Sequence, residues 1–188
     1  MGGGGKSDKV VIDVGANVGD SALFFANKGY NVIGFEPVHS FYEVALKNIK
    51  LNPNLEKRIK LINKGVSDKK ETIHINYNFV GDGGASSFGE SLYECEVETL
   101  TIKDILNEFN IKNPYLLKMD CEGCENPIIC NCDLSMFDKI IFEYHTILTG
   151  LCHEKLVDRL EKQGFKISKI EGNKEIGVIH LDKEDNLI

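Results

Sequence analysis

Four side chains that could accept a proton from a reacting group follow two apolar runs of the sequence. Asp120 and Glu122 come directly after one run, and Glu143 and His145 end another. Because the carboxyl ends of parallel strands meet at one edge of a sheet, we expect the four side chains to lie close together. Neighbouring carboxylates raise one another's pKa, and an imidazole titrates near neutrality. These four are the predicted catalytic residues, which would orient or deprotonate an acceptor.

The same side chains have other uses, which the sequence leaves open. The acids could hold a divalent cation that acidifies the acceptor, although we do not predict one. Glu122 could instead support the helix expected from Glu125, because anions stabilise a helix N-terminus. A single histidine such as His145 is more often structural than catalytic.

A second group of residues could hold an adenosine-containing cofactor. The turn after the first predicted strand, residues 13–20, contains Gly15 and Gly19, which let the backbone approach a ligand closely. Glu36 ends the next strand, 23 residues after Asp13 (36 minus 13), where an acid can accept hydrogen bonds from ribose hydroxyls. Nicotinamide enzymes usually carry Gly-x-Gly-x-x-Gly here. The Gly-x-x-x-Gly spacing therefore favours a ligand without pyrophosphate.

The elements that would position these residues alternate between strand and helix. The predicted strands are 9–14, 31–35, 59–63, 115–119 and 139–144, the predicted helices are 21–28, 39–51, 102–109, 153–163 and one from about 125, and strands 165–170 and 176–181 form a closing hairpin. Half-exposed strands 71–77 and 93–98 flank an inserted loop, 81–89. This order predicts a parallel α/β sheet with an antiparallel finish.

Length and charge narrow the class of protein. A chain of 188 residues with 42% hydrophobic content predicts one domain, at 9–188, after a flexible glycine-rich leader at 1–8. The net charge of -7 argues against DNA as a partner and makes RNA an unfavourable one. No apolar run is long enough to span a membrane. We expect a cytoplasmic protein with a small-molecule acceptor, and the oligomeric state stays open.

The cysteines carry no clear metal signature. Cys121, Cys124, Cys130 and Cys132 give the spacing C-x2-C-x5-C-x-C, which lacks the second pair of a zinc site. A chain of this length and pattern needs no disulfide framework. We therefore expect reduced thiols and no metal site.

Three blocks of the sequence resemble the FkbM family of S-adenosylmethionine-dependent methyltransferases. They are residues 11–20 (VIDVGANVGD), 34–37 (GFEP) and 118–125 (KMDCEGCE). The third block, with its Asp-x-Glu-Gly-x-Glu core, is the most particular to this family. Residues 65–68 and 142–145 are also similar to family blocks.

The resemblance implies a Rossmann-like class I methyltransferase fold: an α/β, mostly parallel seven-stranded sheet with an antiparallel last strand and helices on both faces. It implies S-adenosylmethionine as the cofactor, and the hydroxyl of a sugar or small metabolite as the acceptor. The predicted cofactor-binding residues are Asp13, Gly15, Ala16, Asn17, Gly19, Asp20, Ser21, Glu36, Pro37, Ser67 and Asp120.

Two other functions stay open at this point. The chain could methylate nitrogen on RNA or protein, because related folds with a similar acidic block modify transfer RNA, and a basic face would favour that function. The chain could also be a non-catalytic subunit that binds S-adenosylmethionine without turnover.

Overall fold

The computed structural model describes residues 8–77, 85–86, 93–146 and 152–184. In chain order the elements are β1 (Val10–Val14), α1 (Asp20–Asn27), β2 (Asn31–Phe35), α2 (His39–Lys50), α3 (Pro53–Glu56), β3 (Ile59–Ile62), β4 (Gly65–Val66), β5 (Thr72–Tyr77), β6 (Ala85–Ser86), β7 (Tyr93–Leu100), α4 (Ile102–Glu108), β8 (Pro114–Met119), α5 (Glu125–Asn131), β9 (Lys139–His145), α6 (His153–Glu161), β10 (Phe165–Gly172) and β11 (Ile176–Lys183).

Seven of these strands form the central sheet, in the order β10-β11-β9-β8-β1-β2-β3. The strands β1, β2, β3, β8 and β9 run parallel. The last strand, β11, is antiparallel to both of its neighbours. The predicted α/β fold with an antiparallel last strand is therefore confirmed. Strand order reverses between β1 and β8, and open sheets of this kind bind ligands at such a point.

The apolar runs of the central strands are explained by burial on both faces of the sheet. Alternate residues of a strand point to opposite faces. In β1, Ile12 packs in the large cluster that also contains residues of α4, α5 and α6. Val11 packs in a second cluster with Ala22 and Ala26 of α1. Helices thus cover both faces, which is why these strands show no polar alternation.

A smaller sheet, in the order β4-β7-β5-β6, is formed by the part of the chain between β3 and α4. The predicted half-exposed strands are its β5 and β7, which pair antiparallel from Thr72 opposite Glu98 to Tyr77 opposite Tyr93. Val38, at the start of α2, packs with Ile75 and Val97 of this sheet. The small sheet therefore packs against the start of α2, on one side of the cavity described below.

Three short elements, α3, β4 and β6, were not expected from the sequence, and β6 lies within the predicted loop 81–89. The predicted stop before residue 53 is confirmed for α2, but Pro53 then begins α3, because its fixed φ and missing N–H suit the first turn of a helix. Gly65–Val66 forms β4 by pairing with Thr99 and Leu100 of β7. A two-residue strand has no periodicity from which it could be predicted.

The expectation of reduced thiols is wrong at one pair of cysteines. Cys121 and Cys124 are joined by a disulfide, with their Cα atoms 5.6 Å apart. The loop between β8 and α5 brings them together, with Glu122 at φ 56° and Gly123 at φ 128°. Cys95, Cys130, Cys132 and Cys152 are free thiols.

The predicted leader lies outside the described residues except for Asp8, and the loop 81–89 lies outside them except for β6. Within the described part of the chain, every helix is too short or too polar to cross a bilayer.

Candidate active site

A cavity of about 250 Å³ opens at the carboxyl ends of the strands, where the strand order reverses. It is lined by Val14, Gly15, Asn17, Phe35, Glu36, Pro37, Phe41, Lys64, Gly65, Val66, Ser67, Ile73, His74, Ile75, Asp120, Cys121, Glu122, Gly123, Cys124 and Pro127. The lining contains both an apolar wall and a set of carboxylates. A cleft with these two properties is the expected form of a small-molecule site.

The turn after β1 forms one wall, and its path depends on glycine. The backbone N–H groups of Gly15 and Ala16 both donate to the carbonyl oxygen of Phe35, each at 3.0 Å, so the turn is tied to the end of β2. Gly15 has φ 78°, and a Cβ at this position would lie 1.8 Å from the carbonyl oxygen of Asp120. The ends of β1 and β8 can therefore approach this closely only without a side chain at Gly15.

Glu36 lines the cavity and is only 4% exposed. One oxygen of its carboxylate accepts from the N–H of Asn17 at 2.8 Å, and the other accepts from the N–H of Val38 at 2.9 Å. Burial raises the pKa of Glu36 to about 7, against the opposing effects of these two N–H groups and of the Lys118 charge. Each oxygen retains a further lone pair, so the group can still accept hydrogen bonds from a diol.

Lys118 links the ends of β1 and β8 underneath the turn. Its ammonium group lies 3.1 Å from Asp13 Oδ1 and 3.5 Å from Asp120 Oδ2. It also donates to the carbonyl oxygen of Gly15 at 3.0 Å. The second oxygen of Asp13 accepts from the Ser21 hydroxyl at 2.6 Å, which attaches the start of α1 to the same network.

The four predicted catalytic residues lie together beside the cavity. His145 Nε2 lies 3.1 Å from Glu143 Oε2 and 3.6 Å from Glu122 Oε2. Burial raises the pKa of Glu143 to about 7, helped by the hydrogen bond that protonated Glu143 donates to the Asp120 carboxylate and opposed by His145. Burial also raises the pKa of Glu122. A carboxylate that titrates near pH 7 is suited to accept a proton at neutral pH.

The loop from Asp120 to Glu125 is fixed internally. Glu125 is 4% exposed, and its carboxylate accepts from the N–H of Cys121 at 2.7 Å and from the N–H of Gly123 at 2.8 Å. Glu125 therefore supports the loop and does not face the cavity. Together with the disulfide, it holds Glu122 at a positive φ and directs it towards His145.

Glu122, Glu143 and His145 are also a set that could hold a metal ion. One ligand atom from each lies within 4.8 Å of the other two. Two carboxylates and an imidazole are acceptable ligands for several divalent metals. Among the described residues, the spacing of these three side chains is therefore compatible with a divalent cation.

The structure places the predicted cofactor residues in two layers. Gly15, Asn17, Glu36, Pro37, Ser67 and Asp120 line the cavity, whereas Asp13, Ala16, Gly19, Asp20 and Ser21 are not part of its lining. Asp13 is fully buried, with its oxygens taken by Lys118 and Ser21. Gly19 packs against α2, because a Cβ there would lie 3.1 Å from that of Ala45. The residues outside the lining therefore fix the shape of the turn, and those in the lining face the cavity.

Sequence reasoning missed two parts of this site. The apolar wall comes from Phe41 of α2 and from Ile73 and Ile75 of β5, which are distant in the sequence. Lys118 was noted only as part of a motif. The signal for its role is the register of the sheet, in which Asp13 lies directly opposite Lys118.

Comparison with known proteins gives a family match along most of the chain. A sequence profile described as the methyltransferase FkbM domain matches residues 13–167. No curated protein matches the chain in sequence.

Several solved structures share the fold. A methyltransferase FkbM from Methylobacillus flagellatus superimposes with a TM-score of 0.63 at 16% identity, covering 92% of this chain and 43% of that protein. A precorrin-6y C5,15-methyltransferase from Geobacter metallireducens gives 0.55 at 13% identity, covering 94% and 80%. A magnesium protoporphyrin IX methyltransferase from Synechocystis with bound S-adenosylmethionine gives 0.55 at 11% identity, covering 93% and 69%. The chain thus spans less than half of the first of these proteins.

Proposed function

Because the chain belongs to the FkbM methyltransferase family, we propose that it transfers a methyl group from S-adenosylmethionine to a hydroxyl oxygen of a sugar or another small polar metabolite. The observation that carries this proposal is the position of two different acidic sites on one cavity. Glu36 lines the cavity at the end of β2, and Asp120 and Glu122 line it after β8. Glu143 and His145 of β9 lie next to these two acids, with His145 3.6 Å from Glu122. The first suits a donor and the second suits an acceptor.

The residues of the cavity fit the donor. Glu36 keeps free lone pairs for the two ribose hydroxyls, since the N–H groups of Asn17 and Val38 occupy one direction at each oxygen. Phe41, Ile73 and Ile75 offer apolar contacts for a flat base. Bound there, S-adenosylmethionine supplies a sulfonium methyl group that an attacking oxygen can take with release of the thioether.

The charge of the sulfonium also suits this cavity. Asp120 and Glu122 contribute carboxylates to its wall, and Asp120 is 45% exposed in its side chain. Fixed anions near a cationic centre favour its binding. Because the donor loses its positive charge on transfer, these anions favour binding of the donor and not the transfer step, to which the protein contributes by holding the two reactants in line.

The acceptor side points to a hydroxyl because it contains a proton acceptor tuned to neutral pH. A hydroxyl must lose its proton when its oxygen is methylated. Glu143 has a pKa of about 7 and lies 3.1 Å from His145. The ionised Glu143 takes the hydroxyl proton, and His145 orients the carboxylate and stabilises its charge.

The acidic character of the acceptor side also supports a small neutral acceptor over RNA. Asp120, Glu122 and Glu143 would repel a phosphate backbone that approached the transferred methyl group. The net charge of -7 acts in the same direction over the whole chain.

The test is a transfer assay with S-adenosylmethionine labelled in its methyl group. Purified protein would be offered separate pools of sugars and polyols, of transfer RNA, and of lysine-containing peptides. We expect label in the sugar or polyol pool, and a loss of roughly 10²-fold or more in rate for Glu143→Gln. Glu108→Gln, an exposed change on α4, is the matched control and should retain the wild-type rate. Label only in RNA or peptide would contradict hydroxyl transfer, and donor binding with no label in any pool would favour a non-catalytic subunit.

A further inference from the structure

Lys118 is a buried cation in the middle of the sheet, with a side chain that is only 12% exposed. Burial lowers the pKa of its ammonium group, but the charges of Asp13 and Asp120 outweigh this effect and raise the pKa above its ordinary value. The group is therefore charged in the folded protein. A buried charge of this kind is costly unless it is paired, and here it is paired twice.

The contacts of Lys118 join two loops that belong to different parts of the site. Its ammonium group contacts Asp13 and the Gly15 carbonyl oxygen at the end of β1, at 3.1 and 3.0 Å. It also contacts Asp120 at the end of β8, at 3.5 Å. The turn after β1 leads to Asn17 and Glu36, whereas Asp120 is a hydrogen-bond partner of Glu143.

Lys118 does not line the cavity, so any effect on bound molecules passes through its partners. We propose that Lys118 is a positioning residue of the methyl-transfer site, where its ammonium group fixes the donor turn after β1 against the acceptor carboxylate Asp120 and places a positive charge behind both. This inference rests on the proposed function for the identity of the donor and acceptor. The contacts that carry it are those of the protein alone.

The charge of Lys118 also reaches Glu36, and this gives the inference a specific signature. Lys118 favours the ionised form of Glu36 and lowers its pKa, whereas Asp13 opposes ionisation and raises it. The other titratable groups that face Glu36 or its cavity are Lys64, His74, Cys95, Asp120 and Glu122. Removal of Lys118 and removal of Asp13 should therefore move the titration of Glu36 in opposite directions.

The experiment is an NMR titration of the Glu36 carboxyl carbon in the ligand-free protein, which requires no donor or acceptor. The wild type should titrate near pH 7. Lys118→Met should raise the midpoint by about one pH unit, and Asp13→Asn should lower it. Lys118→Arg keeps the positive charge and should stay near the wild-type midpoint. Lys162→Met, an exposed change at the C-cap of α6, is the matched control and should leave the midpoint unchanged.

Calorimetric titration of S-adenosylhomocysteine then links this signature to the donor site. At pH 7 a midpoint raised by one unit reduces the ionised fraction of Glu36 from about one half to about one tenth, so Lys118→Met should bind roughly fivefold more weakly. Raising the pH to 9 should restore most of that loss. A merely structural role would weaken binding equally at both pH values.

Three results would overturn the inference. They are equal midpoints for wild type and Lys118→Met, shifts of the same sign for Lys118→Met and Asp13→Asn, and a Lys118→Arg midpoint as high as that of Lys118→Met. Circular dichroism shows which variants are folded, and if Lys118→Met is not, the Arg and Asp13→Asn variants decide the matter. Failure of the wild type to bind S-adenosylhomocysteine would contradict the proposed function and leave the Glu36 titration as the test of Lys118.

Discussion

Substitution of Gly15 by alanine should lower the free energy of unfolding and weaken donor binding, because at Gly15 the turn after β1 contacts Asp120 at the end of β8. A Cβ at Gly15 would lie 1.8 Å from the Asp120 carbonyl oxygen and 2.7 Å from the Asp120 carbonyl carbon. Ordinary contact distances are more than 1 Å longer. The ends of β1 and β8 would have to separate, and the hydrogen bond from Asp120 N–H to the Val14 carbonyl oxygen, now 3.0 Å, would be strained or lost.

The size of the effect can be divided into two parts. The positive φ of Gly15 costs an alanine about 1–2 kcal/mol. Forcing a methyl group into occupied space costs about 1–3 kcal/mol more. Gly164 provides a matched control, since its φ of 86° is similar but its nearest neighbours are the flexible end of Lys183, at 3.4 Å and beyond. Gly164→Ala should therefore lose only the first part.

The assay is chemical denaturation of both variants, followed by calorimetry with S-adenosylhomocysteine. We expect Gly15→Ala to lose about 2–5 kcal/mol of unfolding free energy, and Gly164→Ala about 1–2 kcal/mol. Donor binding should weaken about tenfold or more for Gly15→Ala, because the turn moves away from the cavity, and should be unchanged for Gly164→Ala. Equal losses in the two variants, with equal donor affinity, would refute this account of the turn.

Three further changes test other parts of the site. Because the pKa of Glu36 rises from 4.5 in the unfolded chain to about 7, Glu36 should contribute about 3 kcal/mol to the stability lost between pH 4.5 and 7, and urea melts at several pH values should show a loss smaller by that amount in Glu36→Gln. Replacing Cys121 and Cys124 by serine should remove about 2 kcal/mol and lower the melting temperature by about 4–8 °C, whereas Cys130→Ser should not; peptide mapping without reductant checks the pairing. The transfer rate should rise with pH through about 7 as Glu143 ionises, and Glu143→Gln should abolish that rise.

The centre of the fold was predictable because β1, β2 and β8 are largely buried and because α1 and α6 end shortly before Gly29 and Gly164. The predicted strand 31–35 is β2 and the predicted helix 39–51 is α2 to within one residue. The position of Glu36 at the carboxyl end of β2 could be predicted because it depends only on the first two strands and the segment between them. A position of this kind follows from the local sequence, so its prediction does not require knowledge of how distant strands pair.

The parts of the site that were missed depend on contacts between distant residues. Asp13 and Lys118 lie 105 positions apart (118 minus 13), and only the pairing of β1 with β8 brings them opposite each other. The apolar wall similarly requires α2 to pack against the small sheet, where Val38 contacts the cluster of Ile75 and Val97. Hydrophobic patterning indicates that these elements exist, but it carries no information on their register.

The disulfide was missed for a different reason. The spacing C-x2-C is compatible with a free pair, a metal site or a disulfide. The backbone of the loop decides between them, since the positive φ values of Glu122 and Gly123 and the hydrogen bonds to Glu125 fold it back on itself. A positive φ at a glutamate is unusual, and nothing in the sequence indicates it.

The most direct test of the central claim is calorimetric titration of S-adenosylhomocysteine at pH 8, where Glu36 is ionised, into the wild type, Glu36→Gln and the exposed control Glu56→Gln. The account predicts micromolar binding to the wild type and the control, a loss of roughly 30-fold or more in Glu36→Gln from the hydrogen bonds to a charged acceptor, and no comparable binding of a nicotinamide dinucleotide. Wild-type binding that Glu36→Gln leaves unchanged, or binding of the dinucleotide in place of S-adenosylhomocysteine, would contradict the assignment of this cavity to the methyl donor.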